Sequence, residues 1–146
     1  YLTDFKFMDV EISRRYAREE GYPFYAAKAL EEMYRQTGEP EFDENGMMVR
    51  GIIARHMVLP GQAMDSRQII DYLHETYGNR IYLSLMNQYT PFGNLEDFPE
   101  LQSKVKKKVY NRLIQYALDK GVENAFIQEG ATAEESFIPD FDGEGV

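Results

Sequence analysis

The sequence predicts an α/β fold in which strands and helices alternate along a single domain. Three apolar stretches, at 1–7, 51–58 and 80–87, have the length of strands, and amphipathic stretches with a helical period follow each of them. Such alternation builds a largely parallel sheet with right-handed crossovers and flanking helices. Two designs satisfy it: part of a β/α barrel, or an open, doubly wound sheet.

Polar residues inside the three strand stretches favour the barrel. Strands buried on both faces are usually continuous apolar runs, and a charge inside such a run is costly unless it lines a cavity or meets a ligand. In β/α barrels, functional side chains lie near the carboxyl ends of the strands. The polar residues of these strands are therefore the candidates for a functional site.

The first strand, residues 1–7, carries Asp4 and Lys6 two positions apart, so both side chains point to one face. Phe5 and Phe7 point to the other face, which we expect the helices to cover. Asp4 can accept hydrogen bonds from hydroxyl or ammonium groups, and Lys6 can bind an anion. An exposed ion pair on an edge strand is the alternative. The chain begins directly in this strand, which indicates a piece of a longer protein.

The residues between the first and second strands predict a helix and a hairpin. The helix is expected over 22–37, where apolar residues recur at helical spacing. Asn45-Gly46 is a strong signal for a two-residue turn. We therefore expect 41–42 and 47–49 to pair as a short hairpin that leads into the second strand.

The second strand, 51–58, places Arg55 on the same face as Ile53 and Met57. A guanidinium group is suited to clamping a carboxylate or a phosphate, although an arginine near a strand end can also extend into solvent. His56 points to the opposite face. We expect it to be packed rather than catalytic.

Two more helices are predicted downstream. Asp65 is expected to cap a helix over 66–77, with Gln68 completing a capping box. Another helix is expected over 103–120, where apolar residues again recur at helical spacing. Its lysine-rich face is interpreted as solvated.

The third strand, 80–87, ends in two amide residues, Asn87 and Gln88, followed by Tyr89. Such side chains can contact a planar ligand such as a purine, or can bond backbone groups at the start of a loop. Alternation does not decide which of them points inward. Both interpretations therefore stay open.

The chain is interpreted as one domain, 1–146, in which 1–128 forms the βα units and 129–146 is an irregular acidic tail. A last short strand is expected over 124–128. The tail has no periodicity, and its Asp-Phe-Asp-Gly segment at 140–143 lacks the remaining ligands of a calcium loop. No metal site is predicted.

Composition excludes several classes of function. The formal charge of −9 argues against a duplex nucleic-acid binder. No apolar run is long enough to span a membrane, and no targeting segment is visible, so a cytoplasmic location is expected. The chain contains no cysteine, which excludes disulfides and thiolate-bound metal clusters within it.

Three segments together resemble radical S-adenosylmethionine enzymes. They are Thr-Asp-Phe-Lys at 3–6, Arg-His-Met-Val-Leu-Pro-Gly at 55–61 and Leu-Ser-Leu-Met-Asn-Gln-Tyr at 83–89. The closing segments at 124–130, 135–139 and 141–145 are similar to the ends of uncharacterised members of the branch related to pyruvate formate-lyase activating enzyme. The resemblance implies the C-terminal half of a partial (β/α)6 TIM-like barrel.

The resemblance also implies roles for the candidate residues. In this family the strand that matches Asp4 and Lys6 contacts the ribose and the methionine carboxylate of S-adenosylmethionine, and the arginine that matches Arg55 also reaches this cofactor. Activating enzymes often place a histidine near the adenine after the following strand. Asn87 and Gln88 stand there in this chain.

The family's CxxxCxxC motif, which binds a [4Fe-4S] cluster, is absent, so the resemblance implies that it lies upstream of this chain. The intact protein would cleave S-adenosylmethionine to a 5′-deoxyadenosyl radical and take hydrogen from a glycyl-radical enzyme or another protein. The fragment alone is expected to be inactive and to self-associate through its first strand. The alternatives are a noncatalytic nucleotide- or anion-binding domain and an open-sheet enzyme without radical chemistry.

Overall fold

The computed structural model of the chain describes residues 1–129 and 132–136. These residues form seven strands: β1 Leu2–Asp4, β2 Glu41–Phe42, β3 Met48–Arg50, β4 Ile53–Met57, β5 Tyr82–Met86, β6 Ala125–Glu129 and β7 Thr132–Ser136. Four α-helices connect them: α1 Val10–Ala17, α2 Tyr22–Thr37, α3 Ala63–Tyr77 and α4 Lys107–Lys120. A short 3-10 helix spans Pro99–Gln102.

The main sheet has the order β1-β4-β5-β6-β7. Strands β1, β4, β5 and β6 are parallel, and β7 is antiparallel to β6. Along the chain, each new parallel strand is placed on the same side of the preceding one. Right-handed crossovers therefore place the connecting helices on one face of the sheet. A doubly wound sheet requires a reversal of direction, and the four parallel strands described contain none. The predicted α/β fold with a largely parallel sheet and flanking helices is confirmed.

The core lies between one face of this sheet and helices α2, α3 and α4. Ala54, Leu83 and Leu85 on that face are buried in one cluster with apolar side chains of the three helices, among them Leu30, Ile69, Ile70, Leu73, Leu113 and Ala117. The buried hydroxyl of Tyr110 donates to the carbonyl of Leu85 at 2.6 Å. This bond fixes α4 over β5.

The opposite face of the sheet is less covered. Arg55, Met57 and Met86 on this face are half-buried. The antiparallel pair β2–β3 packs over its amino-terminal part, where the ring of Phe42 lies 6.0 Å from that of Tyr82. The predicted hairpin is confirmed, and the carboxyl ends of the strands stay open on this face.

Helix α1 was not expected from the sequence. Its start is set by Asp9, whose side chain accepts hydrogen bonds from the backbone N–H groups of Glu11 and Ile12. The helix has eight residues, and Ser13 is its one buried side chain. Eight residues make little more than two turns, which is too short a stretch for a helical period to be recognised in the sequence.

The expected starts of two helices differ from the structure. Helix α3 begins at Ala63, and Asp65 lies within its first turn instead of capping it. The carboxylate of Asp65 accepts the backbone N–H groups of Met8 and Asp9 at 3.0 and 2.7 Å, so the capping-box prediction is wrong. Helix α4 begins at Lys107, four residues later than 103.

The segment expected to be irregular after residue 128 contains β7. This strand pairs with the outer edge of β6, with Glu129 opposite Thr132 and Ile127 opposite Glu135. Pairing of backbone groups needs no apolar alternation, which is why the sequence pattern did not indicate the strand. The other residues of the predicted tail, 130–131 and 137–146, lie outside the described residues. Among those described, no helix is both long and apolar enough to cross a membrane.

Candidate functional site

An open cavity of about 320 Å³ lies at the carboxyl ends of β1, β4 and β5, on the face away from the helices. Parallel strands bring their carboxyl ends to one edge of a sheet, where side chains from separate segments meet. The cavity is lined by Asp4, Lys6, Phe7, Arg55, Met57, Leu59 and Met86. It therefore combines three charged groups with an apolar wall.

Asp4 and Arg55 form the charged pair of this cavity. Their Cα atoms are partners in the parallel register of β1 and β4. The Nε and one terminal nitrogen of Arg55 both lie 2.8 Å from Oδ1 of Asp4. Because both contacts use one oxygen, Oδ2 of Asp4 and the second terminal nitrogen of Arg55 take no part in the pair.

Lys6 lies two residues beyond Asp4, just after β1 ends. Its backbone N–H donates to the hydroxyl of Tyr22 at 2.8 Å, and that hydroxyl donates to the carbonyl of Asp4 at 3.3 Å. Tyr22, at the start of α2, therefore fixes the backbone that presents both charges. The lysine side chain is exposed, which leaves its ammonium available to an anion.

The apolar wall is formed by two methionines, Leu59 and Phe7. Met57 and Met86 are partners in the register of β4 and β5, so they lie side by side. The ring of Phe7 packs at 5.7 Å from Tyr22 and 6.2 Å from Tyr16. Thioether side chains adapt to ligands of irregular shape.

The structure brings together three of the five residues predicted for the site. Asp4, Lys6 and Arg55 line the same cavity. Asn87 and Gln88 follow β5 but are not among the lining residues, where Met86 stands instead. Asn87 is half-buried and Gln88 is exposed.

Sequence reasoning missed part of the apolar wall. Met57 shares a face with Arg55, and this period-two signal was available, but its pairing with Met86 depends on the register between strands. Phe7 was expected on the helix-covered face. Because β1 ends at Asp4, strict alternation does not extend to residue 7. Phe7 is buried, at 8% exposure, and still borders the cavity.

His56 does not belong to the cavity, as predicted. Its Nδ1 lies 2.9 Å from the carbonyl of Phe5, so Nδ1 carries the proton, and Nε2 accepts from the hydroxyl of Ser66 at 2.8 Å. Burial lowers the pKa of His56 to about 4. A neutral, enclosed imidazole with both nitrogens bonded is a packing element, not a general base.

The donor set of the cavity fits an amino-acid-like or phosphate-bearing ligand better than a metal ion. Arg55 and Lys6 supply positive charge for a carboxylate or phosphate, and Asp4 supplies an acceptor for hydroxyl or ammonium groups. Within 1–129 and 132–136, no three His, Cys, Asp or Glu side chains are grouped so that they could hold a metal ion. A [4Fe-4S] cluster has no ligand here, because the chain lacks cysteine.

Comparison with models of protein families, with curated proteins and with solved structures finds no match to this chain. The resemblance read from the three sequence segments is therefore not supported by an overall similarity. The cavity itself is therefore the feature from which a function can be inferred.

Proposed function

We propose that this chain is the C-terminal half of a radical S-adenosylmethionine barrel and that its cavity binds the cofactor's methionine and ribose groups. The observation that carries the proposal is the convergence of Asp4, Lys6 and Arg55 at the carboxyl ends of adjacent parallel strands. The one-directional strand order, with helices on one face, supports a partial (β/α)6 barrel over a doubly wound sheet.

In this proposal, each cavity residue contacts a different part of the ligand. Lys6 and the second terminal nitrogen of Arg55 bind the methionine carboxylate, while Arg55 keeps its bonds to Asp4, since a guanidinium group has five N–H donors. Oδ2 of Asp4 accepts from a ribose hydroxyl or from the ligand ammonium. Met57 and Met86 contact the apolar part of the ligand. Asn87 and Gln88 stay as the proposed contacts of the adenine.

In the intact protein, a [4Fe-4S] cluster held by cysteines outside this chain would supply the electron for cleavage of the S-adenosylmethionine that Asp4, Lys6 and Arg55 would bind. The radical formed in this way would abstract hydrogen from a glycyl-radical enzyme or another protein in the cytoplasm. The 146-residue chain alone supplies binding residues but no electron. It is therefore expected to be inactive.

The first experiment addresses the intact protein. We expect the coding sequence upstream of Tyr1 to contain CxxxCxxC. Anaerobic reconstitution with iron and sulfide should give the intact protein cluster absorbance, and should give this cysteine-free chain none. An upstream sequence without the motif would falsify the radical assignment.

A second function is supported by the exposed ammonium of Lys6 beside the Asp4–Arg55 pair, which is also suited to a nucleotide or a simple anion. Titration of the chain with S-adenosylmethionine, adenosine diphosphate and pyrophosphate separates the two. Arg55→Ala should weaken binding of the true ligand by about tenfold or more, since charge-assisted bonds contribute about 1.5–3 kcal/mol. Arg50→Ala is the matched control, because Arg50 lies on β3 outside the cavity.

The titrations have distinct outcomes. Binding of S-adenosylmethionine that Arg55→Ala weakens and Arg50→Ala does not supports the cofactor site. Binding of adenosine diphosphate or pyrophosphate alone supports the noncatalytic binding domain. Equal affinity of the Arg55→Ala variant and the unmodified chain for every ligand removes Arg55 from the site.

A further inference from the structure

Three connections that leave the carboxyl ends of β1, β4 and β5 meet at Glu100. The connection after β1 contains α1, the one after β4 contains Gln62, and the one after β5 contains the 3-10 helix that carries Glu100. These three segments are far apart in sequence. Side-chain hydrogen bonds nevertheless join them into one group beside the cavity.

The bonds of this group converge on one carboxylate. Arg15 donates from Nε to Oε1 of Glu100 at 2.9 Å, and the Tyr16 hydroxyl donates to the same oxygen at 2.6 Å. Arg15 also donates to the carbonyl of Asp97 at 3.1 Å. The Nε2 of Gln62 donates to the Tyr16 hydroxyl at 2.7 Å. Tyr16 therefore bridges the second connection to the third.

The carboxylate is partly shielded from solvent, since the side chain of Glu100 is 24% exposed. The hydrogen bond from Tyr16 is the main cause that holds the pKa of the Glu100 carboxyl below its usual value. Glu100 is thus charged at neutral pH, and charge-assisted bonds of this kind are stronger than neutral ones. The guanidinium of Arg15 also lies 5.1 Å from the ring centre of Phe98.

The group contacts two residues of the cavity wall. The ring of Tyr16 packs between Phe7 at 6.2 Å and Phe98 at 5.7 Å, and Phe7 is part of the cavity wall. Leu59 is another wall residue, and its carbonyl accepts the backbone N–H of Gln62 at 3.2 Å. Movement of the group would therefore displace two wall residues.

We propose that Arg15, Tyr16, Gln62 and Glu100 form a clamp that holds the connection 87–106 against α1 and positions Phe7 and Leu59 as cavity walls. Tyr16 and Glu100 are thus positioning residues for the anionic ligand of Lys6 and Arg55. With the clamp closed, the walls are ordered before the ligand arrives, and the ligand does not have to order them. The effect on ligand affinity rests on the proposed function, whereas the coupling of the three connections does not.

The test uses Glu100→Gln and Tyr16→Phe in the full 146-residue chain. Both variants keep side-chain size, and the phenylalanine keeps the ring contacts with Phe7. Glu32→Gln is the matched control, because Glu32 accepts two bonds from Arg35 on the surface of α2, away from the cavity. The measurements are hydrogen exchange of backbone amides and calorimetric affinity for S-adenosylmethionine, with pyrophosphate as a second probe.

We expect both clamp variants to accelerate amide exchange in 87–106, with no change in α3 and α4. Affinity for the bound probe should fall by about five- to twentyfold. The double variant should lose little more than either single variant, because the two residues act through one contact. Glu32→Gln should change neither measurement.

Unchanged exchange in 87–106 would overturn the clamp. So would an equal loss of affinity in Glu32→Gln, since that result would mean general destabilisation. Accelerated exchange in 87–106 without binding of either probe by the unmodified chain would support the coupling of the connections and refute the proposed ligand site. The two proposals therefore fail separately.

Discussion

At the scale of single residues, hydrogen-bond partners decide which polar groups belong to the candidate site. Asp4 and Arg55 pair across adjacent strands and stay half-exposed at a cavity, whereas His56, the next residue in the chain, is 2% exposed and fully bonded. One strand thus carries a ligand-accessible charge on one face and an enclosed imidazole on the other. This follows from the two-residue period of a strand.

The enclosed imidazole predicts an acid-sensitive fold. The pKa of His56 is about 4 in the folded chain, against 6.5 for an ordinary histidine, so the unfolded chain binds an extra proton between these values. The stability that depends on neutral His56 should be fully present above pH 6.5. The free energy of unfolding should then decrease by about 3 kcal/mol as the pH falls to 4. Urea unfolding at a series of pH values measures this.

The matched variant for that measurement is His56→Asn, whose amide can still donate to the carbonyl of Phe5. The variant should be less stable at pH 7 and should lose most of the pH dependence between 6.5 and 5, where few carboxyl groups titrate. An identical slope in both proteins would show that another group is responsible.

At the scale of elements, one carboxylate joins α3 to the segment between β1 and α1. Asp65 in the first turn of α3 accepts the N–H groups of Met8 and Asp9, and Asp9 in turn caps α1. Burial raises the pKa of the Asp65 carboxyl, and the two backbone bonds oppose that shift. The start of α1 thus depends on a residue more than fifty positions away.

We expect Asp65→Ala to destabilise the fold by about 1–3 kcal/mol for each N–H left buried without a partner. Asp43→Ala is the matched control: the exposed Asp43 also accepts two backbone N–H groups, those of Asn45 and Met47, but water can replace it. Denaturant unfolding compares the two. Equal losses in both variants would contradict a special role for Asp65.

Sequence patterns predicted what depends on neighbours along the chain and missed what depends on neighbours in space. Alternation placed Asp4 with Lys6 on one face of the first strand and Arg55 with Met57 on one face of the second, and the Asn45-Gly46 signal located the hairpin. The bonds that Asp65 accepts from Met8 and Asp9 have no local signal, because they cross from one βα unit to the next. The same holds for the register that places Met57 beside Met86.

At the scale of the whole molecule, the two edges of the sheet differ in how their backbone groups are covered. The outer edge of β6 is covered by β7. The edge at β1 is open at Leu2, which is 61% exposed, but at the carboxyl end of the strand the Tyr22 hydroxyl donates to the carbonyl of Asp4 and accepts the N–H of Lys6. Open edges are templates for pairing with another chain.

We predict that Tyr22→Phe increases self-association, because it frees two backbone groups and lengthens the open edge. Sedimentation velocity at several concentrations should show more dimer or larger species than in the unmodified chain. Tyr25→Phe, which removes an exposed hydroxyl from the same helix, should not change the distribution. Association that rises equally in both variants would assign the effect to α2 and not to the strand edge.

The antiparallel direction of β7 determines where this sheet can grow. Another parallel strand can join the four parallel ones only at β1, because β7 already occupies the far side of β6. A strand arriving at β1 would find the outward backbone groups of Leu2 open for pairing, since those of Tyr1 and Phe5 bond to β4, and would have to displace the Tyr22 hydroxyl to pair with the carbonyl of Asp4 or beyond it. If an upstream half completes a barrel, the Tyr22 hydroxyl on α2 therefore limits the number of residues over which its strand can pair with β1.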